Sequence, residues 1–289
     1  MSSFPATATP QPAASPQDDG IDATIALHVS HTFYRFRSRN PLQWSQQQRA
    51  QAEEVFCDIL RPDHPDGPAA LQTWYLRGGL ADFGVFAKDS SPFAVEGIRH
   101  RLLASAIGEL LEPVFAFASM TGPGEHLVPP REFARVLTDG GMATHSAEHT
   151  TALEDYTRTW TEIIADARDP RIPSGRNVFF SGIRVRDTQP SWHSLPLLER
   201  IEIMTQLMEL GARSPENVSE QLTRGSGFAD LDYGMTLWSA RPEYLSAFIT
   251  ARKFSTFISK YATLGPCFAG IVQDASGILS QCRVLKAAH

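Results

Sequence analysis

Residues 177–186, NVFFSGIRVR, and residues 195–210, LPLLERIEIMTQLMEL, decide the fold of this chain. The first segment is rich in β-branched and aromatic residues, which predicts a strand. The second predicts a helix, because its apolar residues recur at helical spacing on two flanks. One flank contains Leu197, Ile201, Met204 and Met208, and the other contains Ile203, Leu207 and Leu210. A helix with two apolar flanks contacts two surfaces, so its second flank either completes the core or forms the wall of a cavity.

The segments that follow this helix complete a unit with a known arrangement. They predict a pair of strands, a helix and a last strand, at residues 218–223, 231–238, 242–261 and 267–272. Strand-helix-strand-strand-helix-strand is the ferredoxin-like order. This order predicts a four-stranded antiparallel sheet with both helices on one face.

The first half of the chain carries the same order. Its predicted strands lie at residues 25–34, 73–76, 83–87 and 114–120, and its predicted helices at 41–60 and 93–111. The chain is therefore predicted to be an α+β protein of two ferredoxin-like βαββαβ units, whose antiparallel sheets pack into a barrel-like core. We expect a ligand cavity where the two sheets meet.

Composition sets the outer boundaries of these units. Residues 1–22 are rich in Ser, Pro, Ala and Thr and predict a disordered tail, because they bury too little apolar surface to offset their ordering entropy. The N-terminal unit is predicted at residues 23–122 and the C-terminal unit, with the cavity, at 177–275. Between them lies a connector, 123–176, with a predicted helix near 147–167. A C-terminal tail follows at 276–289.

The overall charge and the cysteines narrow the class of partner. A net charge of -6 without a dense Lys/Arg run argues against nucleic acid or an anionic membrane surface. Cys57, Cys267 and Cys282 show no C-x-x-C spacing, so neither a disulfide framework nor a zinc knuckle is implied. No apolar run has the length of a membrane span. We expect a cytoplasmic protein whose partner is a small molecule.

A candidate metal site lies in the connector. His145 and His149 stand at i and i+4, so on a helix they would face the same way and could bind a divalent metal. Glu125 or His126 would supply a third ligand if the connector folds back. The alternative is that these are ordinary polar residues of a connector helix or of its N-terminus.

Several motifs in one order give the second unit a family resemblance. They are SWHSLP at 191–196, ER-x-E-x-M at 199–204, GSGFADLDYGMTLW at 225–238, RKF at 252–254 and KYATLGPCFAG at 260–270. With these motifs the chain resembles the chlorite dismutase superfamily, and most of all its coproheme decarboxylase branch, which makes haem using peroxide. The resemblance implies the double ferredoxin-like fold and a homo-oligomeric ring of subunits, often a pentamer. It does not by itself imply the activity.

The resemblance also places the family's haem site on this sequence, and the residues there differ. The haem-ligating His position is Leu207, and a Leu side chain cannot ligate iron. The radical-forming Tyr of the decarboxylases corresponds to Phe180, which lacks the phenolic hydroxyl, and the following Lys corresponds to Arg184. These departures argue against the family's usual chemistry.

Further pocket positions follow from the same resemblance. The distal Arg or Gln corresponds to Glu220, or to Gln221 if the loop slips by one residue, and a carboxylate there would repel anionic oxidants. Ile258 stands at a propionate-holding Ser position, and Tyr233 stands where the decarboxylases often carry Trp. Trp192 is retained.

Two polar residues are candidates for other chemistry. His193 could act as a general base with Glu220 if both face the cavity, or it could be a surface residue at a helix start. Arg184 could meet an anionic ligand. His28 and His31 point to opposite faces of a strand, so at most one of them lines a pocket.

Three functions are open to a chain that keeps the family's scaffold but has other residues at the haem site. The first is an oxidoreductase-like enzyme of specialised metabolism that acts on a small organic substrate, with haem ligation absent or unusual. The second is a haem-free ligand-binding or assembly protein. The third is a haem-binding, peroxide-dependent enzyme of the coproheme decarboxylase type. The candidate cofactors are haem held without the usual histidine and a divalent metal.

Overall fold

The computed structural model describes residues 26–124, 126–212 and 218–285, so the predicted tail at 1–22 and Glu125 lie outside the described residues. The strands are β1 His28–Phe36, β2 Ala70–Arg77, β3 Phe83–Asp89, β4 Leu111–Met120, β5 Asn177–Val185, β6 Ser219–Arg224, β7 Tyr233–Ser239 and β8 Ala262–Val272. The α-helices are α1 Gln46–Ile59, α2 Pro92–Ala104, α3 Pro130–Asp139, α4 Ala147–Arg168, α5 Leu197–Ala212, α6 Pro242–Lys253 and α7 Ala275–Cys282.

The predicted fold is confirmed. Each half has the order βαββαβ, and the eight strands form one closed antiparallel barrel in the order β1-β3-β2-β8-β5-β7-β6-β4. Two seams join the units. At the wide seam, β2 and β8 pair through a ladder that runs from Trp74–Val272 to Arg77–Ala269. At the narrow seam, β4 and β6 pair only at Met120–Arg224.

Aromatic side chains fill the interior of the barrel. The rings of Phe33 and Phe268 stack with centroids 3.8 Å apart, and the ring of Phe180 lies 4.3 Å from that of His31. A hydrogen bond of 2.8 Å joins His31 Nε2 and the Thr236 hydroxyl. Burial lowers the pKa of His31 to about 3, so the imidazole is neutral at pH 7. The expectation of a cavity where the two sheets meet is therefore wrong, because side chains fill the barrel interior.

The helix face of the first unit is packed by three helices. Phe56 of α1 and Leu102 of α2 are fully buried beside the sheet, together with Ile278 and Leu279 of α7. The predicted C-terminal tail thus folds as far as α7, because an apolar stripe at helical spacing finds a surface to cover on the first unit. The last residues, 286–289, lie outside the described part of the chain.

The connector forms two helices that lie against the second unit. Phe133 of α3 and Tyr156 of α4 stack with ring centroids 3.8 Å apart. The Tyr156 hydroxyl donates to the Val128 carbonyl oxygen at 2.8 Å. Ile163 of α4 borders a hollow together with Met204 of α5, so α4 runs alongside α5. Of the helices that the structure describes, none combines the length and apolarity that crossing a membrane requires.

Candidate functional site

A cavity of about 390 Å³ lies between α5, the outer face of the second sheet and the connector. Its size falls in the range of pockets that hold small organic molecules. Its apolar wall consists of Ile183, Met204, Leu207, Met235, Phe257 and Ile258. Both flanks of α5 reach the cavity, the first through Met204 and Met208 and the second through Leu207 alone. Ile203 and Leu207 also belong to the core of the second unit, so the two interpretations of the second flank each hold in part.

An ion pair between a buried arginine and a partly exposed glutamate forms the polar part of this wall. Arg252 of α6 is 3% exposed, and its guanidinium donates one hydrogen bond to the Leu207 carbonyl oxygen and another to the Glu220 carboxylate. The guanidinium also lies 4.8 Å from the centroid of the Phe248 ring. One residue of α6 thus connects α5 to β6, because the planar guanidinium presents several donors at fixed angles.

Burial acts on both members of this pair. Burial raises the pKa of Glu220, and the charge of Arg252 opposes that rise without cancelling it. Burial also lowers the pKa of Arg252, against the opposing effect of the Glu220 carboxylate. Each charge therefore depends on its partner, and removal of one alone leaves the other uncompensated.

Several polar atoms on the cavity wall have no hydrogen-bond partner among the described residues. They are Gln221 Oε1, Arg224 Nε, Arg252 Nε and His126 Nδ1, and all four are buried. Buried polar atoms in proteins are normally paired, with protein groups, water or a ligand. Four such atoms on one cavity wall make the cavity a candidate site for a molecule with both donors and acceptors.

His126 is a cavity residue from the connector. Burial, and to a smaller degree the charge of Arg200, lower the pKa of His126 to about 4, so its imidazole is neutral at pH 7. The sequence suggested this residue only as a spare metal ligand. Its position on the cavity depends on how the connector folds back over α5, which no local pattern of residues encodes.

The cavity reaches the first unit at Lys88. This residue of β3 is 2% exposed, and its ammonium donates to the Arg171 carbonyl oxygen at 3.0 Å. Asp166 and Asp169 of the connector also line this part of the cavity. Sequence reasoning missed Lys88, because a lysine near the end of a strand is ordinarily solvent-exposed.

The family model described as chlorite dismutase matches residues 49–273, which is most of the chain. The chain belongs to the chlorite dismutase family. Among its relatives is a candidate haem-binding protein of Natronomonas pharaonis, 24% identical over 230 residues, which are 77% of this chain and 35% of that protein. Another is a coproheme decarboxylase of Thermus thermophilus, 27% identical over 110 residues, 38% of this chain and 44% of that protein. This chain thus spans less than half of the length of these curated relatives.

Several solved structures share the fold. A haem-binding protein of Thermus thermophilus superposes with a TM-score of 0.69 at 20% identity, over 90% of this chain and 96% of that one. A mutant chlorite dismutase of Candidatus Nitrospira defluvii superposes with a TM-score of 0.64 at 12% identity, over 88% of this chain and 94% of that one. At these identities the likeness concerns the fold alone.

The residues at the family's haem position do not fit a haem ligated from α5. The resemblance places the iron ligand at residue 207 and the facing residue at 220. Here the Arg252 guanidinium donates to the Leu207 backbone carbonyl oxygen and to the Glu220 carboxylate. Leu207 itself has no donor atom and belongs to the apolar core of the second unit.

The structure brings five of the predicted site residues to the cavity. They are Leu207, Glu220, Gln221, Tyr233 and Ile258. Their roles stay predictions, but their proximity supports the site that the family resemblance indicated. Arg252 belongs with them, and the sequence showed it only as part of the RKF motif.

Other predicted residues lie elsewhere. Phe180 faces the barrel interior, where its ring lies beside His31, so its assignment to the pocket is wrong. His193 and Arg184 are exposed, and neither lies on the cavity wall. A His193–Glu220 general-base pair is therefore wrong as well. Trp192 is buried behind the wall, with its ring centroid 4.8 Å from that of Phe257.

The predicted metal pair is arranged differently from the expectation. α4 begins at Ala147, and the Ser146 hydroxyl caps it by accepting from the His149 backbone N–H. His145 precedes the helix in a left-handed conformation with φ of 65°. The two histidines therefore do not share a helix face, and that part of the prediction is wrong. Within the described residues, no three His, Cys, Asp or Glu side chains are grouped as metal ligands would be.

Proposed function

We propose that this chlorite dismutase family member binds a small organic molecule in the cavity beneath α5, in place of a haem ligated from that helix. The observation that carries the proposal is the cavity beside Leu207, a side chain without a donor atom at the position where the resemblance places the iron ligand. The surrounding wall is largely apolar, so the molecule has a compact apolar body.

The unpartnered polar atoms indicate the functional groups of this molecule. Arg224 Nε and Arg252 Nε are donors and require acceptor oxygens. Gln221 Oε1 is an acceptor and requires a hydroxyl or amine hydrogen. Because Glu220 already neutralises Arg252, we expect a ligand with carbonyl or hydroxyl oxygens and at most one negative charge.

Turnover of this molecule, of the oxidoreductase type expected from the sequence, is our first proposal. Support comes from the coproheme decarboxylase among its relatives and from the neutral imidazole of His126, which can accept a proton on the cavity wall. A ligand-binding or assembly protein on the same scaffold is the alternative. A product that appears only when the protein is present separates the two.

A haem-binding, peroxide-dependent enzyme is the second candidate. It is favoured by the names of the relatives and by His126, a buried imidazole whose Nδ1 has no partner among the described residues. Such a haem would be held from the connector and not from α5.

The spectrum of the full chain tests these proposals. We expect freshly purified protein without a Soret band and without a saturable Soret shift on titration with haemin or coproheme. A stoichiometric Soret band that is lost in His126→Gln would overturn the binding of a small molecule in place of haem. It would favour the haem-binding, peroxide-dependent enzyme.

A charge-free variant tests the cavity directly. Arg252→Met with Glu220→Gln removes the ion pair at similar volume, so a small molecule retained by the wild type in native mass spectrometry should be lost. The control is Arg241→Met with Glu243→Gln, which removes an exposed pair with atoms 3.5 Å apart at the start of the same helix. Equal retention by both variants would contradict binding beneath α5.

A further inference from the structure

Lys88 is buried on the cavity wall and has no ion-pair partner among the described residues. Its side chain is 2% exposed, and its one hydrogen bond within the described residues is the one to the Arg171 carbonyl oxygen. An ammonium group has three hydrogens to donate. No carboxylate of the described residues comes within ion-pair distance, although Asp166 and Asp169 line the same end of the cavity. Two of the three hydrogens are thus left for a cavity ligand.

A lysine at this position is unusual for this chain. The sequence contains four lysines, at 88, 253, 260 and 286, against twenty-two arginines. A hydrogen bond to a backbone carbonyl can be made equally well by arginine. Lysine differs in that it can lose its proton in a buried site and then act as a nucleophile, whereas arginine stays charged.

The surroundings of Lys88 increase the fraction of the side chain that is present as the free amine. Burial lowers the pKa of Lys88 to about 8, with the charges of Asp169 and Asp166 opposing. At pH 7.5 roughly a quarter of the Lys88 side chains would then be unprotonated, against about one in a thousand for an exposed lysine. The group is therefore much more nucleophilic than the surface lysines.

We propose that the Lys88 amine forms an imine with an aldehyde or ketone group of the molecule that occupies the cavity. The nitrogen lone pair adds to the carbonyl carbon, and the carbinolamine loses one water, so that a C=N bond replaces C=O. No oxidant or reductant is consumed. The inference rests on the proposed function, since it assumes a small organic ligand in this cavity, and it narrows that ligand to carbonyl compounds.

Reductive labelling of the full-length protein tests the imine. Benzaldehyde with sodium cyanoborohydride would be added at pH 7.5, and peptide mass mapping would compare Lys88 with the exposed Lys253 and Lys260. We expect Lys88 to be labelled at least tenfold faster. Its rate should fall as the pH drops below about 8, because protonation removes the lone pair. Asp169 and Asp166 are the charged neighbours that act on the pKa of Lys88.

Two matched variants complete the test. Lys88→Arg keeps the charge and a donor for the Arg171 carbonyl but should abolish the fast labelling, whereas Lys253→Arg should leave it unchanged. Slower labelling of Lys88 than of the exposed lysines in folded wild-type protein would overturn the imine and leave Lys88 a structural donor. That result would leave binding beneath α5 intact, because the Arg252 and Glu220 variants measure it independently.

Discussion

The two units share one topology but cover their sheets differently. On the first unit, α1, α2 and α7 pack the helix face solidly. On the second unit, α5 and α6 pack only part of it, and the connector closes over the rest without filling it. Helix α7 thus completes the packing of the first sheet, whereas the connector leaves a cavity over the second. A repeated fold therefore acquires a site where a covering element leaves space.

Matched leucine truncations measure this difference, and they carry the largest expected effect. Leu279→Ala on α7 removes a side chain surrounded by core and should destabilise the protein by about 4 kcal/mol. Leu207→Ala on α5 borders an existing cavity, so fewer contacts are lost and the cost should be about 2 kcal/mol. Urea unfolding of both variants checks the ranking. Equal costs would mean that the second unit is packed as solidly as the first.

Variants of the Arg252–Glu220 pair test whether each charge on the polar wall of the second unit is stabilised by the other. Arg252→Met alone leaves the partly exposed Glu220 carboxylate unpaired, and should cost about 3 kcal/mol at pH 7. This value is at the low end because the Glu220 side chain is 26% exposed. Arg252→Met with Glu220→Gln should be within about 1 kcal/mol of wild type.

The pH dependence of the single variant has a definite sign. Without Arg252, burial raises the pKa of Glu220 above its ordinary value with nothing to oppose it. A raised pKa stabilises the fold below the ordinary value, near 4.3, and that contribution is lost as the pH rises through the folded pKa. The deficit relative to wild type should thus shrink on acidification. If the free energy of unfolding of the variant stays below that of wild type by a constant amount down to acidic pH, burial does not destabilise the charged form of Glu220.

The fold could be predicted from the sequence because it rests on local periodicity. The strand-forming residues of β5 and the helical spacing of apolar residues along α5 can both be recognised within short segments. The cavity wall at Leu207, Glu220 and Gln221 was also located, since the family motifs fix these positions.

The parts of the site that were missed depend on long-range contacts. Lys88 comes from the first unit and His126 from the connector, and both reach the cavity only after the chain has folded. Phe180 was misplaced for another reason. Alternate residues of a strand point to opposite faces, and Phe179 faces the helices while Phe180 faces the barrel.

Haem uptake tests whether the residues at 207, 220 and 252 separate this chain from a haem-binding form of the same unit. Leu207→His alone should not gain haem, because Arg252 still bridges to Glu220. Leu207→His combined with Arg252→Met and Glu220→Gln supplies a ligand and opens the gap, so haemin affinity should rise at least tenfold. A Soret titration of both variants decides. Uptake by the single variant would show that Arg252 moves aside readily.

The two seams offer the smallest expected effect and the finest comparison of the units. At the narrow seam, the Ser119 hydroxyl donates to Thr223 Oγ1 at 2.9 Å beside the single Met120–Arg224 pair. Ser119→Ala should cost about 1 kcal/mol, since Thr223 keeps its bond to the Gly234 carbonyl. Hydrogen exchange should accelerate at Arg224 but not at Leu76 in the wide seam, whose ladder is unaffected. Equal acceleration at both would mean that the barrel opens as a whole, and that the narrow seam is no separate weak point beside the cavity.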